Sequence, residues 1–125
     1  MLGAKNMSHL FDLKTSNHTS RISETMQIYY CATRHEFRAV HQFHSETFDP
    51  HFREQIIVNQ RNAIWYFLEA ALKGYSTAQY KLGILYLHGQ LGLTTNTIKA
   101  QKWLSLAANQ GHLDAQEQLE QFFMQ

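Results

Sequence analysis

Residues 63–86 read AIWYFLEAALKGYSTAQYKLGILY, and residues 100–123 read AQKWLSLAANQGHLDAQEQLEQFF. Laid on each other at a shift of 37 residues, the two stretches agree at seven of twenty-four positions: Ala63/Ala100, Ala70/Ala107, Ala71/Ala108, Gly74/Gly111, Ala78/Ala115, Gln79/Gln116 and Leu82/Leu119. Self-similarity at such a period marks a repeat architecture. Five of the seven agreements are Ala or Gly, and small residues at fixed offsets mark places where helices approach closely. Each copy predicts helix, tight turn, helix. In the first, Ala63, Tyr66, Phe67, Ala70 and Ala71 fall on one helical face. Gly74 and Gly111 then supply the left-handed residue that a helix C-terminus favours. The second helix of each copy carries Ala78, Leu82, Leu85 and Tyr86, mirrored by Ala115, Leu119, Phe122 and Phe123. Gly89, Gly92, Thr94, Thr95 and Asn96 form a connector, with Asn96 placed to cap the next helix.

This pattern resembles the Sel-one-like repeat, a short α/α relative of the tetratricopeptide repeat, over residues 59–124. The positions that carry the likeness are Ala63, Ala70, Ala71, Gly74, Ala78, Tyr80, Leu82, Gly83, Tyr86 and Gly89 in the first copy. In the second they are Ala100, Trp103, Ala107, Ala108, Gly111, Ala115 and Leu119. Tyr66 stands where the family usually has Trp, and Glu117 and Glu120 replace the expected Tyr and Gly. The resulting polar face reads as a C-terminal cap. The resemblance implies an all-α, helical-hairpin repeat solenoid of two Sel-one-like repeats, to which the residues before it are expected to add an N-terminal capping helix. It also implies a non-enzymatic protein-protein interaction scaffold or adaptor that binds a protein or peptide on a concave helix surface.

Two repeats are fewer than the three or so that bury a continuous core, so the first half of the chain is expected to close the N-terminal side. Ile22, Met26, Tyr29, Thr33, Phe37, Val40 and His44 recur at steps of three and four, with Arg34, Arg38 and His41 opposite. Asp49-Pro50 reads as an N-cap and first helical residue, opening a stretch with Phe52, Ile56 and Ile57 that runs on into the first repeat. The division expected is 1–20 a flexible N-terminus without periodicity, 21–58 N-terminal capping helices, 59–95 first repeat, and 96–125 second, C-terminal capping repeat.

Composition excludes several classes. Of 125 residues, 44% are hydrophobic and 17% charged, as in a soluble globular chain. Eleven basic residues against ten acidic give a net charge of +1 and no basic stripe for a phosphate backbone. Nucleic acid is therefore not an expected partner. The longest apolar run, Ala63 to Leu68, falls far short of the roughly 20 residues that cross a bilayer, and no secretory h-region opens the sequence. A cytoplasmic protein is expected. The lone Cys31 has no partner thiol for a disulfide or metal site, and the glycosylation-like matches at Asn6 and Asn17 are chance.

Eight histidines are the candidates for metal or acid/base chemistry. The candidate metal set is His41, His44 and His51, with His35 or Glu36 as further ligands. His41 falls on the side of Arg34 and Arg38, a poor place for a cation, and no H-E-x-x-H occurs. Neither a catalytic residue nor a cofactor is predicted. Cys31 reads as a packed thiol, and Lys73 and Lys81 as solvated helix ends.

The candidate partner-binding residues are Trp65, Leu68, Glu69, Leu72, Lys102, Leu106 and Asn109. Trp65, Leu68 and Leu72 form a stripe about 165° from the Ala63/Phe67/Ala70 face. Their counterparts Lys102, Ser105 and Asn109 are polar, so the extra apolarity belongs to the first copy and not to the repeat design. The N-terminal helix packing over Trp65 is the simplest cover; a docked partner segment is the alternative. Self-association through this stripe is a third reading, giving a monomer or weak homodimer.

Overall fold

A computed structural model describes residues 17–42 and 50–124. The described residues form five helices: α1 Asn17–Gln42, α2 Pro50–Leu72, α3 Ser76–His88, α4 Thr97–Asn109 and α5 Leu113–Phe123. The all-α repeat architecture expected from the sequence is the one found. Pro50 opens α2, where its missing N–H costs nothing and its fixed φ suits a helix; Asp49 lies outside the described residues. α2 runs unbroken into the first repeat.

The two hairpins are built alike. At the end of α2, Gly74 has φ +92°, Gly74 N donates to Ala71 O at 3.0 Å, and Tyr75 N donates to Ala70 O at 3.1 Å. At the end of α4, Gly111 has φ +88°, Gly111 N donates to Ala108 O at 2.9 Å, and His112 N donates to Ala107 O at 3.1 Å. Each is a Schellman motif that satisfies carbonyls left over at a helix end. The next residue starts the second helix from extended backbone in both copies, φ −72°, ψ 109° at Tyr75 and φ −71°, ψ 109° at His112. The repeated glutamine then locks each hairpin. Gln79 Nε2 donates to Ala71 O at 3.1 Å, and Gln116 Nε2 donates to Ala108 O at 3.1 Å. Asn96 caps α4 by accepting from Lys99 N at 3.0 Å.

α3 is the helix both cores share. One face sends Ala78, Leu82 and Leu85 into a core with Ala32, Ala63, Phe67, Ala70 and Ala71. The other sends Tyr80 and Ile84 against Leu104, Ala107 and Ala115. The two layers meet at Gly83, where a Cβ would lie 2.6 Å from Leu104 Cγ and 3.3 Å from Ala100 O. At the same position of the second copy stands Glu120, which is exposed.

α1 takes the place of a preceding second helix. It runs antiparallel to α2, as the contacts Glu24 with Lys73, Tyr29 with Phe67 and His35 with Asn59 require. Tyr29 packs edge-on against Tyr75 at 5.3 Å, while Tyr80 of α3 stacks on His112 at 4.7 Å. Tyr75 and His112 are equivalent positions, so Tyr29 does for the first repeat what Tyr80 does for the second. Three residues further on, Ala32 is fully buried beside Ala63 and Phe67, matching Gly83 over Ala100 and Leu104.

The structure corrects several sequence expectations. α1 begins at Asn17, five residues ahead of the Ile22 pattern. Its buried face is Thr25, Ala32 and Ala39, with Ile28 and Tyr29 half-buried, whereas Phe37 and Val40 are exposed. That face is rotated by about one residue, ~100°, from the apolar stripe. The reason is size, because small side chains seven residues apart let α1 lie close on α2. Phe123, expected to mirror Tyr86, is 81% exposed. Lys81 is not a free solvated end, since its Nζ lies 2.7 Å from Glu36 Oε1 and 5.7 Å from the centre of the Phe67 ring. Lys73 is exposed as expected, and it pairs at 3.4 Å with Glu24.

Two outcomes follow from this packing. In Gly83→Ala the gain in helix propensity, about 0.5–1 kcal/mol, loses to overpacking against the branch point of Leu104, about 1–3 kcal/mol. Urea unfolding should show a net loss of about 1–2 kcal/mol. Burial raises the pKa of the Tyr29 phenol above its ordinary 10.0, with Tyr75 and then Glu36 adding to the shift. A raised pKa means that folding favours the neutral phenol, so its contribution is present below pH 10 and lost as pH climbs above that. Alkaline titration followed by circular dichroism should show this loss in the wild type and a weaker one in Tyr29→Phe.

Candidate functional site

The predicted contact residues occupy equivalent places on the first helix of each hairpin. Trp65 corresponds to Lys102, Glu69 to Leu106 and Leu72 to Asn109, each pair 37 residues apart. Trp65 is 66% exposed and Leu72 71% exposed, and Lys102, Leu106 and Asn109 are exposed as well. Leu68 and Glu69 are half-buried, and Leu68 packs against the first core. The N-terminal helix does not cover Trp65. It packs on the Ala63/Phe67 side, where Ala32 and Tyr29 fit, and leaves the opposite face of α2 open.

That open face extends further back than the sequence reading placed it. Val58 is 50% exposed and Ile57 is also exposed, so Val58, Trp65 and Leu72 form an apolar seam at intervals of seven. An open groove of about 600 Å³ lies along it, lined by Val58, Arg61, Asn62, Trp65 and Tyr66. Tyr66 is fixed from behind by stacking on His35, 5.6 Å between ring centres with 9° between the planes, and His35 Nδ1 lies 3.0 Å from Asn59 Oδ1. Trp65 therefore projects from a helix whose inner face is fully engaged. Val58 shares the seven-residue spacing of Trp65 and Leu72 but lies outside the stretch 63–86 that the second copy repeats.

Polar groups inside the fold are used by the fold. Gln79 is buried, donates to Ala71 O and accepts from Gln110 Nε2 at 2.7 Å, tying the second hairpin's turn to the first. Among the described residues no buried side-chain nitrogen or oxygen lacks a partner. His112 caps α5 by accepting from Ala115 N at 3.3 Å. His41 Nδ1 lies 2.9 Å from Phe37 O and its ring stacks on Phe37 at 3.7 Å. His51 lines a neighbouring hollow with Arg38, Glu54, Gln55 and Val58. Among the described residues no three His, Cys, Asp or Glu side chains gather where one ion could be held. His44, part of the candidate metal set, lies outside them. Cys31 is half-buried on α1.

Comparison with known proteins identifies the repeat. The family profile described as Sel1 repeat matches residues 51–75 and 76–112. The second matched unit has the length of the internal shift and takes in α3, the connector, α4 and its turn. No match was found among curated proteins or among solved structures.

Exposure of Trp65 and burial of Phe67 give opposite expectations for truncation. Phe67→Ala should lose about 3–5 kcal/mol of stability, whereas Trp65→Ala should change it by less than about 1 kcal/mol. Paired urea melts at constant protein concentration measure both, and a large loss for Trp65→Ala would place that side chain in the core.

Proposed function

We propose that this chain, which belongs to the Sel1 repeat family, is a non-enzymatic scaffold that seats a protein or peptide on the face formed by α2 and α4. Sel1 repeats are typically protein-interaction modules. The observation that carries the reading here is the exposure of Trp65 on a helix whose other side is already packed. Leaving a large aromatic in water forgoes about 1.5–3 kcal/mol of burial. Aromatic anchors of this kind dominate the energetics of interfaces when a partner covers them.

The rest of the face suits the same role. Trp65 and Leu72 supply apolar area on α2. Lys102 and Asn109 supply polar contacts at the matching places on α4, with Leu106 between them. A surface of this mixed character accommodates a peptide or a protein edge, with charges at the rim setting orientation more than affinity. A net charge of +1 gives no general attraction for nucleic acid. No helix among the described residues is long and apolar enough to cross a membrane, and the setting proposed for the scaffold is cytoplasmic.

Capture from native lysate with wild type, Trp65→Ala and Lys102→Glu tests the proposal, with Phe123→Ala as an exposed control off the face. Circular dichroism first establishes that all four are equally helical. Binding to a captured protein should fall about 30-fold for Trp65→Ala, the scale of a 2 kcal/mol anchor. It should fall less for Lys102→Glu and remain unchanged for Phe123→Ala. Retention of the same partner by both face variants would move the binding surface elsewhere.

A further inference from the structure

We infer that the outer face of α2 is self-complementary, so that two copies of the chain associate through it as an antiparallel, two-fold symmetric pair with Trp65 at the axis. This rests on the reading of that face as an interaction surface and names its occupant. Val58, Trp65 and Leu72 stand seven residues apart and are 50%, 66% and 71% exposed. A spacing of seven drifts only about 20° per step on a straight helix, so the three side chains form a seam nearly parallel to α2. Such a seam fits another helix lying along it at a shallow angle.

The charges beside the seam select which helix. Arg61 lies four residues before Trp65 and Glu69 four residues after it. Neither makes an ion pair with any described residue. In an antiparallel pair centred on Trp65, each Val58 meets the other copy's Leu72, and each Arg61 meets the other copy's Glu69. Two unpaired charges on one chain thus become two ion pairs between chains. A parallel pair would set Arg61 against Arg61 and Glu69 against Glu69, and like charges so placed repel. The pattern matches its own reverse, as an isologous contact requires. At the axis the two indoles meet edge-on or offset, the arrangements aromatic pairs prefer.

The second repeat does not offer the same face. Ile98 and Leu106 stand where the first has Arg61 and Glu69, and Lys102 replaces Trp65. Association therefore closes at two copies instead of propagating along the solenoid. A contact made by one helix face belongs to the small class of interfaces, so the pair is weak and dependent on concentration.

Sedimentation equilibrium on the full chain, from about 5 μM to about 500 μM, spans the affinities that such an interface reaches. The mass should rise from 14.6 kDa toward twice that value. Trp65→Glu should hold it at the monomer. Arg61→Glu alone and Glu69→Arg alone should each weaken association about tenfold, while the double exchange restores it to within about threefold. All three positions, Arg61, Trp65 and Glu69, are at least partly exposed, and circular dichroism checks that helicity is unchanged. A constant monomer mass overturns the inference, as does a dimer that the double exchange fails to restore. A chain that stays monomeric but loses its captured partner with Trp65→Ala overturns the pair and leaves the scaffold standing. A dimer whose Trp65→Ala variant still captures the same partner overturns the scaffold's anchor instead.

Discussion

The approach of Gly83 to Leu104 sets the geometry on which the rest depends. With a Cβ at position 83 only 2.6 Å from Leu104 Cγ, α3 could not lie close enough to α4 for Tyr80 and Ile84 to enter the second core. Because it does, one thirteen-residue helix serves two layers. A chain this short has little area to bury, and sharing α3 between two cores is how it surrounds Phe67, Leu82, Leu85 and Leu104 completely. The turns then follow from economy of polar groups. Each hairpin leaves carbonyls at the end of its first helix, and the Gly and Gln of the repeat satisfy them in the same way twice.

Stacking one hairpin on the next leaves two ends and one lateral face to be dealt with. α1 closes the front by copying the contacts of a second helix, with Tyr29 against Tyr75 and Ala32 in the place of Gly83. The ion pair of Glu36 with Lys81 joins α1 to α3 across the first core. At the far side, α5 presents Glu117 and Glu120 outward, where the equivalent Tyr80 and Gly83 of α3 turn inward. The lateral face, made by α2 and α4, has no such solution within the described residues. It is the part of the surface whose apolarity the fold does not use.

The division of labour on α2 shows how one helix holds both roles. Ala63, Phe67, Ala70 and Ala71 are buried toward α1 and α3, while Val58, Trp65 and Leu72 point away. A helix apolar on two sides is ordinary in a protein interior; here only one of those sides is interior. The corresponding positions of α4 are mostly polar, so the difference between the copies is confined to the surface and the packing of the two hairpins stays alike.

The repeat, its period, the glycine-ended turns, the Asn96 cap and, Phe123 apart, the core faces of the hairpins are legible in the sequence. Those features are local, or are repeated 37 residues apart, and spacing alone exposes them. It also showed that Trp65 is not part of the repeat design. Which face of α1 lies inside is set by tertiary packing. Apolar counting favours Phe37 and Val40, whereas close helix packing favours the small Thr25, Ala32 and Ala39, and which requirement prevails depends on how near α2 must come. The fate of Trp65 was settled by the same choice. Once the small residues of α1 dock on the Ala63/Phe67 side, no described helix remains to cover the opposite face, and no periodicity in the chain could have said on which side that docking would fall.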